Sequence, residues 1–415
     1  MSPSGTHGRP AGPTAAGTPG TSPLRVMVIF GTRPEAVKMA PVVHRLSADP
    51  AFEVRVTVTG QHREMLDQVL EHFRIRPDHD LDVMTPRQTL TGLTTAMLRG
   101  LEGVLAEDRP DVVLVHGDAT TAFCAALAAF YARVDVGHVE AGLRTYRKYA
   151  PWPEEMNRRL AGVLADLHFA PTAWSRSNLL GEGVPADRIW VTGNTVIDAL
   201  LWTVRPDYRF RDPVLARVLA DAGAENRPIV LVECHRRENW GEPMVRINEA
   251  IRELAGREPG VLFLVSAHLN PEAGEVARRV LRGLDNVLLF SPVPYPDWVN
   301  LMARCHLILT DSGGLQEEAP SLGRPLILAR EATERPEAVE AGTVRVVGSS
   351  REAIVQVVED LLHDPEAYAR MARARNPFGD GRAADRIARA LLYHYGRAGD
   401  PPDEFDGCTY RPARA

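Results

Sequence analysis

Cysteine is scarce: Cys124, Cys234, Cys305 and Cys408 are the only four in 415 residues, and none stands in a CxxC spacing. That usage speaks against a disulfide framework and suits reduced thiols in a cytoplasmic protein. No apolar run approaches the ~18–20 residues that span a bilayer, so no membrane partner is expected. Neither sign of charge dominates. With 48 Lys and Arg against 54 Asp and Glu, the net charge of -6 disfavours a general nucleic-acid binder but leaves room for a local basic pocket. The GxxxxGK[ST] loop and GxGxxG are both missing, which leaves ATP and NAD unsupported, and HExxH is missing too. No metal site and no cofactor are expected. Residues 1–23, rich in Gly, Pro, Ser and Thr, lack an apolar h-region and read as a disordered leader, not a signal peptide.

The sequence does show alternation. A chain this long exceeds the size at which a single core stops growing, so two domains are the starting expectation. "LRVMVIF" (Leu24 to Phe30) reads as a buried strand, followed by "GTRPE" and a helix from about Glu35. "FEVRVTVTG", "DVVLVHGD", "VDVGHVE" and "LHFAPT" repeat the scheme, with helical stretches such as "TTAFCAALAAFYARV" between them. It restarts at "RPIVLVECHRREN" and continues through "GVLFLVSAH", "NVLLFSPV", "CHLILTDSGG" and "RPLILARE". Strand–loop–helix repetition predicts a doubly wound parallel sheet, here twice. The expected architecture is therefore α/β, with two Rossmann-like domains facing a cleft. The first spans 24–203, the second, nucleotide-binding, spans 204–380, and the most linker-like stretch is 201–213. A polar tail, 397–415, is expected to lack fixed structure.

Ligands of open α/β sheets sit at the carboxyl ends of the strands. Arg33, Asp118, Glu140, His235, His268 and Asp311 each follow an apolar run. One such residue is ordinarily a helix cap, but six at equivalent ends point to one cleft. "TDSGGLQEEA" places Ser312, Gly313 and Gly314 at the start of a predicted helix, where backbone N–H groups can approach an anion. Glu318 follows one turn on, suited to ribose hydroxyls, and Arg335 in "TERPEAVEAGT" suits a phosphate or that carboxylate. "HRREN" reads either as a loop tied by salt bridges or as donors for a diphosphate leaving group. The segment "HVEAGLRTYRKYAPWPEEMNRR" crowds Glu140, Glu154 and Glu155 with Arg144, Arg147 and Lys148. For Arg147 and Lys148, solvation or pairing with nearby acids is the favoured reading.

Taken in order, "FGTRPEAVKMAPVV", "TGQHREML", "VHGDATT", "GHVEAGLRT", "PEEMNRRL", "VTGNTVIDAL", "HRREN", "DSGGLQEEAPSLGRP" and "TERPEAVEAGT" resemble the non-hydrolysing UDP-N-acetylglucosamine 2-epimerases. The resemblance covers about residues 25–396. It implies the two-domain fold of retaining glycosyltransferases (GT-B), with a last helix near 382–396 crossing back to the first domain. It also implies interconversion of UDP-GlcNAc and UDP-ManNAc through elimination of UDP to 2-acetamidoglucal and re-addition, with no redox cofactor.

By that resemblance Asp118, Glu140 and Glu154 are the acid–base candidates, and His235 assists the diphosphate. Arg33 and Lys38 would meet the phosphates, Trp298 the uracil, and Ser312, Gly313, Gly314, Glu318 and Arg335 complete the nucleotide site. Gln61, Arg87, Arg236 and His268 match the set that binds a second UDP-GlcNAc as activator, and homodimers are usual in the family. Three departures stand out: Glu233 and Cys234 replace small neutral residues before His235, Glu64 replaces an amide in the activator set, and Ala119 replaces a Thr. A hydrolysing relative, a glycosyltransferase on the same scaffold and a non-catalytic UDP-sugar binder remain open. Keeping three acids at the sugar favours an enzyme.

Overall fold

The computed structural model describes residues 22–60, 63–85, 87–267 and 271–407. Residues 1–21 and 408–415 therefore lie outside it. Among the described residues the first sheet has seven strands: β1 Leu24–Phe30, β2 Phe52–Val58, β3 His79–Asp80, β4 Val112–His116, β5 Asp135–Val139, β6 Leu167–Ala170 and β7 Ile189–Val191. Their order is β3-β2-β1-β4-β5-β6-β7, parallel throughout. The second sheet has six: β8 Ile229–Glu233, β9 Leu262–Ser266, β10 Val287–Phe290, β11 Leu307–Thr310, β12 Leu326–Leu328 and β13 Val344–Val346, ordered β10-β9-β8-β11-β12-β13. This is the expected pair of Rossmann-like units. The strands form because runs such as "VVLVH" in β4, buried along their whole length, can satisfy a parallel sheet covered on both faces.

In each sheet the winding reverses once, between β1 and β4 and between β8 and β11. Such a switch point opens a crevice at the strand ends, since the loops on either side turn away from each other. Gly31–Arg33 and Gly117–Asp118 stand at the first crevice, and Glu233–Arg236 and Asp311–Gly314 at the second.

Helix Arg33–Ser47 starts in a reciprocal cap: Thr32 Oγ1 accepts from Glu35 N, and the Glu35 carboxylate accepts from Thr32 N at 2.8 Å and Gly31 N at 3.1 Å. The last helix, Ala383–His394, packs against helices Arg33–Ser47 and Thr195–Thr203 of the first unit. Asp198 accepts from its first N–H groups, at Ala383 (3.2 Å) and Ala384 (2.9 Å). Arg45 pairs with Asp385 at 2.7 Å, and Tyr395 donates to Asp135 at 2.8 Å.

Residues 397–407 differ from the expectation of a tail without fixed structure. Phe405 is buried beneath Arg386, its N–H donates to Val191 O at 2.7 Å, and Glu404 pairs with Arg176 at 2.7 Å. Two buried residues, Pro402 and Phe405, seat this otherwise polar stretch, and composition averages them away. Among the described residues no helix is long and apolar enough to cross a membrane.

Candidate active site

Lys38, one turn into the first helix, forms a part-buried ion pair with Glu140 at the end of β5. The backbone of Glu140 is left-handed, at φ 63°, which costs a residue with a Cβ about 1 kcal/mol or more and is held here by its surroundings. Asn194 then joins the two units: its amide Nδ2 donates to Glu140 Oε2 and to Glu317 Oε2, each at 2.7 Å. Glu317 closes the network by accepting from Arg335 Nε at 2.5 Å. Burial opposes charge on Lys38, yet Glu140 and Glu317 outweigh it and raise its pKa. Burial likewise disfavours the Glu140 carboxylate, but Lys38 and the Asn194 amide hold it well below the usual carboxylate range. Glu140 is therefore ionised. His116, with Nε2 3.7 Å from Glu140, is kept neutral, its pKa pushed down to about 4 chiefly by burial.

Asp118 follows β4. Arg158 pairs with its carboxylate, and Asn157 Nδ2 donates to its backbone oxygen at 3.0 Å. Burial raises the Asp118 pKa against the pull of Arg158, and the nearby Glu140 charge adds to the rise. Glu154 is the first residue of helix Glu154–Leu164, one turn before Arg158 and so on the same face, which is turned to Asp118. Glu155 has another task. Fully buried, it accepts from Thr145 N and Tyr146 N, both at 3.0 Å, and thereby fixes the loop after Glu140. Arg144 is not in the cleft: its guanidinium forks onto Glu182 at 2.7 and 2.8 Å. Arg147 and Lys148 are exposed, with Lys148 over the Tyr149 ring at 5.4 Å.

On the second unit, Asp311 works as a loop organiser. Its carboxylate accepts from His235 N and Arg236 N, each at 3.0 Å, and from Asn239 at 2.9 Å. Gly313 sits against charged side-chain ends: a Cβ there would come within 2.7 Å of Arg335 and 2.9 Å of Glu334, with Arg236 at 3.3 Å. Two arginines thus converge beside Ser312–Gly314. The helix expected after them is a single turn, Leu315–Glu318, running into a 3-10 turn, so its dipole is short and the arginines carry most of the positive potential.

Glu318 makes no ion pair among the described residues. Burial first and then Glu317 push its pKa up to about 8, although Lys38 and Arg33 act against the rise. The charge of Arg33 faces Glu318 and buried Tyr295, while Trp298, one turn beyond Tyr295, packs half-buried against the core.

The structure thus brings Arg33, Lys38, Glu140, Glu318 and Arg335 into one charged cluster. It sets Asp118 and Glu154 along one wall and gathers His235, Arg236 and Ser312–Gly314 on the other. Arg87 is exposed in the loop before helix Leu90–Asp108. Gln61, His268 and the side chain of Glu64 lie outside the described residues. Sequence reasoning missed Asn194, Glu317, Arg158 and His116, and gave Glu155 no role of its own. All lie inside the quoted motifs, but their partners are distant in the chain and no spacing rule pairs them. The expectation of no metal-ligand cluster also meets a finding: Glu233, His235 and Asp311 place ligand-type atoms within 4.8 Å of one another. Internal donors already engage Asp311, and Glu233 is engaged by His235 and Thr310.

Residues 44–392 match the profile of the family described as UDP-N-acetylglucosamine 2-epimerase. The chain is 55% identical over 374 residues to the UDP-N-acetylglucosamine 2-epimerase of Yersinia pestis, covering 89% of this chain and 99% of that one. It is 51% identical over 384 residues to the Bacillus subtilis enzyme of the same name, covering 92% and 99%. The crystal structure of the Neisseria meningitidis UDP-GlcNAc 2-epimerase bound to UDP-GlcNAc superposes with a TM-score of 0.80 at 47% identity, covering 89% of this chain and all of that one.

Proposed function

Since this chain belongs to the UDP-N-acetylglucosamine 2-epimerase family, we propose that it interconverts UDP-GlcNAc and UDP-ManNAc without hydrolysis. The observation that carries this reading is the network Lys38–Glu140–Asn194–Glu317–Arg335, buried at its centre, which crosses between the two units and lies beside acids in different protonation states. Inversion at C2 needs a base on one face and an acid on the other, and unlike environments are what separates two carboxyl groups into those roles.

In the proposed route a carboxylate takes the C2 proton. The C2–H electron pair becomes the C1=C2 double bond, and the C1–O bond breaks with its pair leaving on UDP. The 2-acetamidoglucal is then reprotonated at C2 from the opposite face as UDP returns to C1. Asp118, Glu140 and Glu154 are the acid–base groups. Arg33, Lys38 and His235 face the phosphates, Trp298 the uracil, and Glu318 the ribose, with Ser312, Gly313, Gly314 and Arg335 around the nucleotide. A diphosphate that draws Lys38 away from Glu140 would let the Glu140 pKa rise, turning a spectator carboxylate into a base.

A second UDP-GlcNAc as activator would meet Gln61, Arg87, Arg236 and His268, with Glu64 weakening its affinity. A homodimer is also proposed. The packed helices Thr120–Ala132 and Glu154–Leu164 leave Phe130, Tyr131, Leu160 and Val163 exposed, apolar surface of the kind a second copy covers. NMR of purified protein with UDP-GlcNAc tests the reaction itself. UDP-ManNAc should accumulate to a constant ratio with no free sugar, whereas release of ManNAc and UDP would make the chain a hydrolysing enzyme.

A further inference from the structure

β8 ends in Glu233, and its neighbour two residues on is His235. Glu233 Oε1 lies 2.5 Å from His235 Nδ1, an ion pair by distance though off the line of an aligned hydrogen bond. The Thr310 hydroxyl, with one proton to give, lies 2.7 Å from the Glu233 backbone oxygen and 3.0 Å from its second carboxylate oxygen, and Thr310 is the residue paired with Glu233 across the parallel β8–β11 register. Glu233 is therefore braced by the sheet itself. The backbone of His235 is braced separately, through its N–H to Asp311 at 3.0 Å. Main chain and ring are each held by a different carboxylate, at the switch point of the second sheet.

We propose that Glu233 is a positioning residue for His235: it orients the ring through Nδ1 so that Nε2 faces the diphosphate, and it keeps the ring cationic while UDP departs. The inference rests on the reading that His235 meets the diphosphate. It assigns a task to a residue that departs from the small neutral one the family resemblance leads one to expect. No proton needs to move in this step. The imidazolium only has to donate a charge-assisted hydrogen bond to a phosphate oxygen as negative charge gathers there.

The two carboxylates beside the ring act in the same direction. The Glu233 contact is the largest influence on the His235 pKa and raises it. Burial acts against the rise, Asp311, 4.0 Å from Nδ1, adds to it, and Arg236 opposes it. Across the loop, Arg335 and Glu334 adjoin Gly313 and pair with each other at 2.7 Å, and Glu318 feels the Glu233 charge. The sign follows. The cationic ring is present below its raised pKa and lost as pH climbs through it. Without Glu233 the burial that remains brings that loss to lower pH.

Histidine-labelled protein followed by NMR across pH, alone and with UDP, tests this in wild type, Glu233→Gln and Glu233→Thr. The expected result is a His235 titration about one pH unit lower in both variants. The pH at which UDP affinity falls should move down by the same interval, the titration of UDP itself being common to all three proteins. Superimposable His235 titrations would overturn the proposal, and so would a lowered ring pKa with an unmoved UDP profile. Circular dichroism of the two variants separates these outcomes from loss of fold. Conversion of UDP-GlcNAc is read in a separate assay, so a failure of the epimerase reading and a failure of this inference give different results.

Discussion

On the N-terminal face of the cleft, Glu140 and Asp118 each meet a cation, Lys38 and Arg158. On the C-terminal face, Glu317 meets Arg335, while its sequence neighbour Glu318 makes no ion pair among the described residues. Lys38 holds the Glu140 carboxylate ionised, while Glu318, with no ion-pair partner among the described residues, keeps its proton at neutral pH. The difference is geometric. The first helix sends Lys38 across to the end of β5, whereas the one-turn helix at Leu315 places two acids side by side, and of the two only Glu317 meets Arg335. Glu140 is thus charge-paired in place, whereas Glu318 has a proton to lose near pH 8.

Substitutions on the first face should have the largest effects. Asp118→Asn, Glu140→Gln and Glu154→Gln should each lower turnover by ~100-fold or more, with UDP binding surviving far better. Near wild-type rates in all three would break the comparison at its catalytic end. Glu140→Gln should also destabilise the protein by roughly 3 kcal/mol in urea unfolding, because Lys38 keeps its buried charge but loses its main partner.

Glu318→Gln sharpens the other side. A carboxyl whose pKa rises from its ordinary 4.5 to about 8 on folding holds a proton that the unfolded chain has lost. Stability from that group therefore declines as pH climbs from about 4.5 through about 8, and the Gln variant escapes the decline. Relative to wild type, the variant should gain on the order of a few kcal/mol across that range, read from urea midpoints at several pH values. A gap that does not change with pH would mean that Glu318 is ionised in the folded protein.

Much of this was readable before any coordinates. Alternation of apolar runs and helical stretches is enough for two doubly wound sheets, and the strand-end rule locates Arg33, Asp118, Glu140 and His235. The partners were hidden for a physical reason. Asn194 reaches Glu140 and Glu317 across separations of 54 and 123 residues, and no local period reports such a contact. Glu155 adjoins Glu154 in sequence, but the step of about 100° between consecutive helical residues is enough to send Glu155 into the loop it anchors and Glu154 to another face. The Phe405 anchor was masked by the polar residues around it.

A smaller loss should follow Glu155→Gln. The amide still accepts from one of the two loop N–H groups but leaves the other short of a partner in a buried site. The expected cost is ~1–2 kcal/mol of stability, with a raised KM as the Thr145–Tyr146 loop loosens. Smallest of all is the effect of Glu64→Gln, which should shift activation by UDP-GlcNAc to lower concentration while leaving the maximal rate unchanged. Full-rate conversion of UDP-ManNAc from time zero, with no response to added UDP-GlcNAc, would remove the activator from the scheme.

The central claim is that a carboxylate in this cleft takes the proton from C2 and that another acid returns one. Incubating the protein with UDP-GlcNAc in deuterated water and following C2 by proton NMR tests it directly. Deuterium should enter C2 of both UDP-GlcNAc and UDP-ManNAc as the two interconvert. Epimerisation with full retention of the original C2 hydrogen would contradict it.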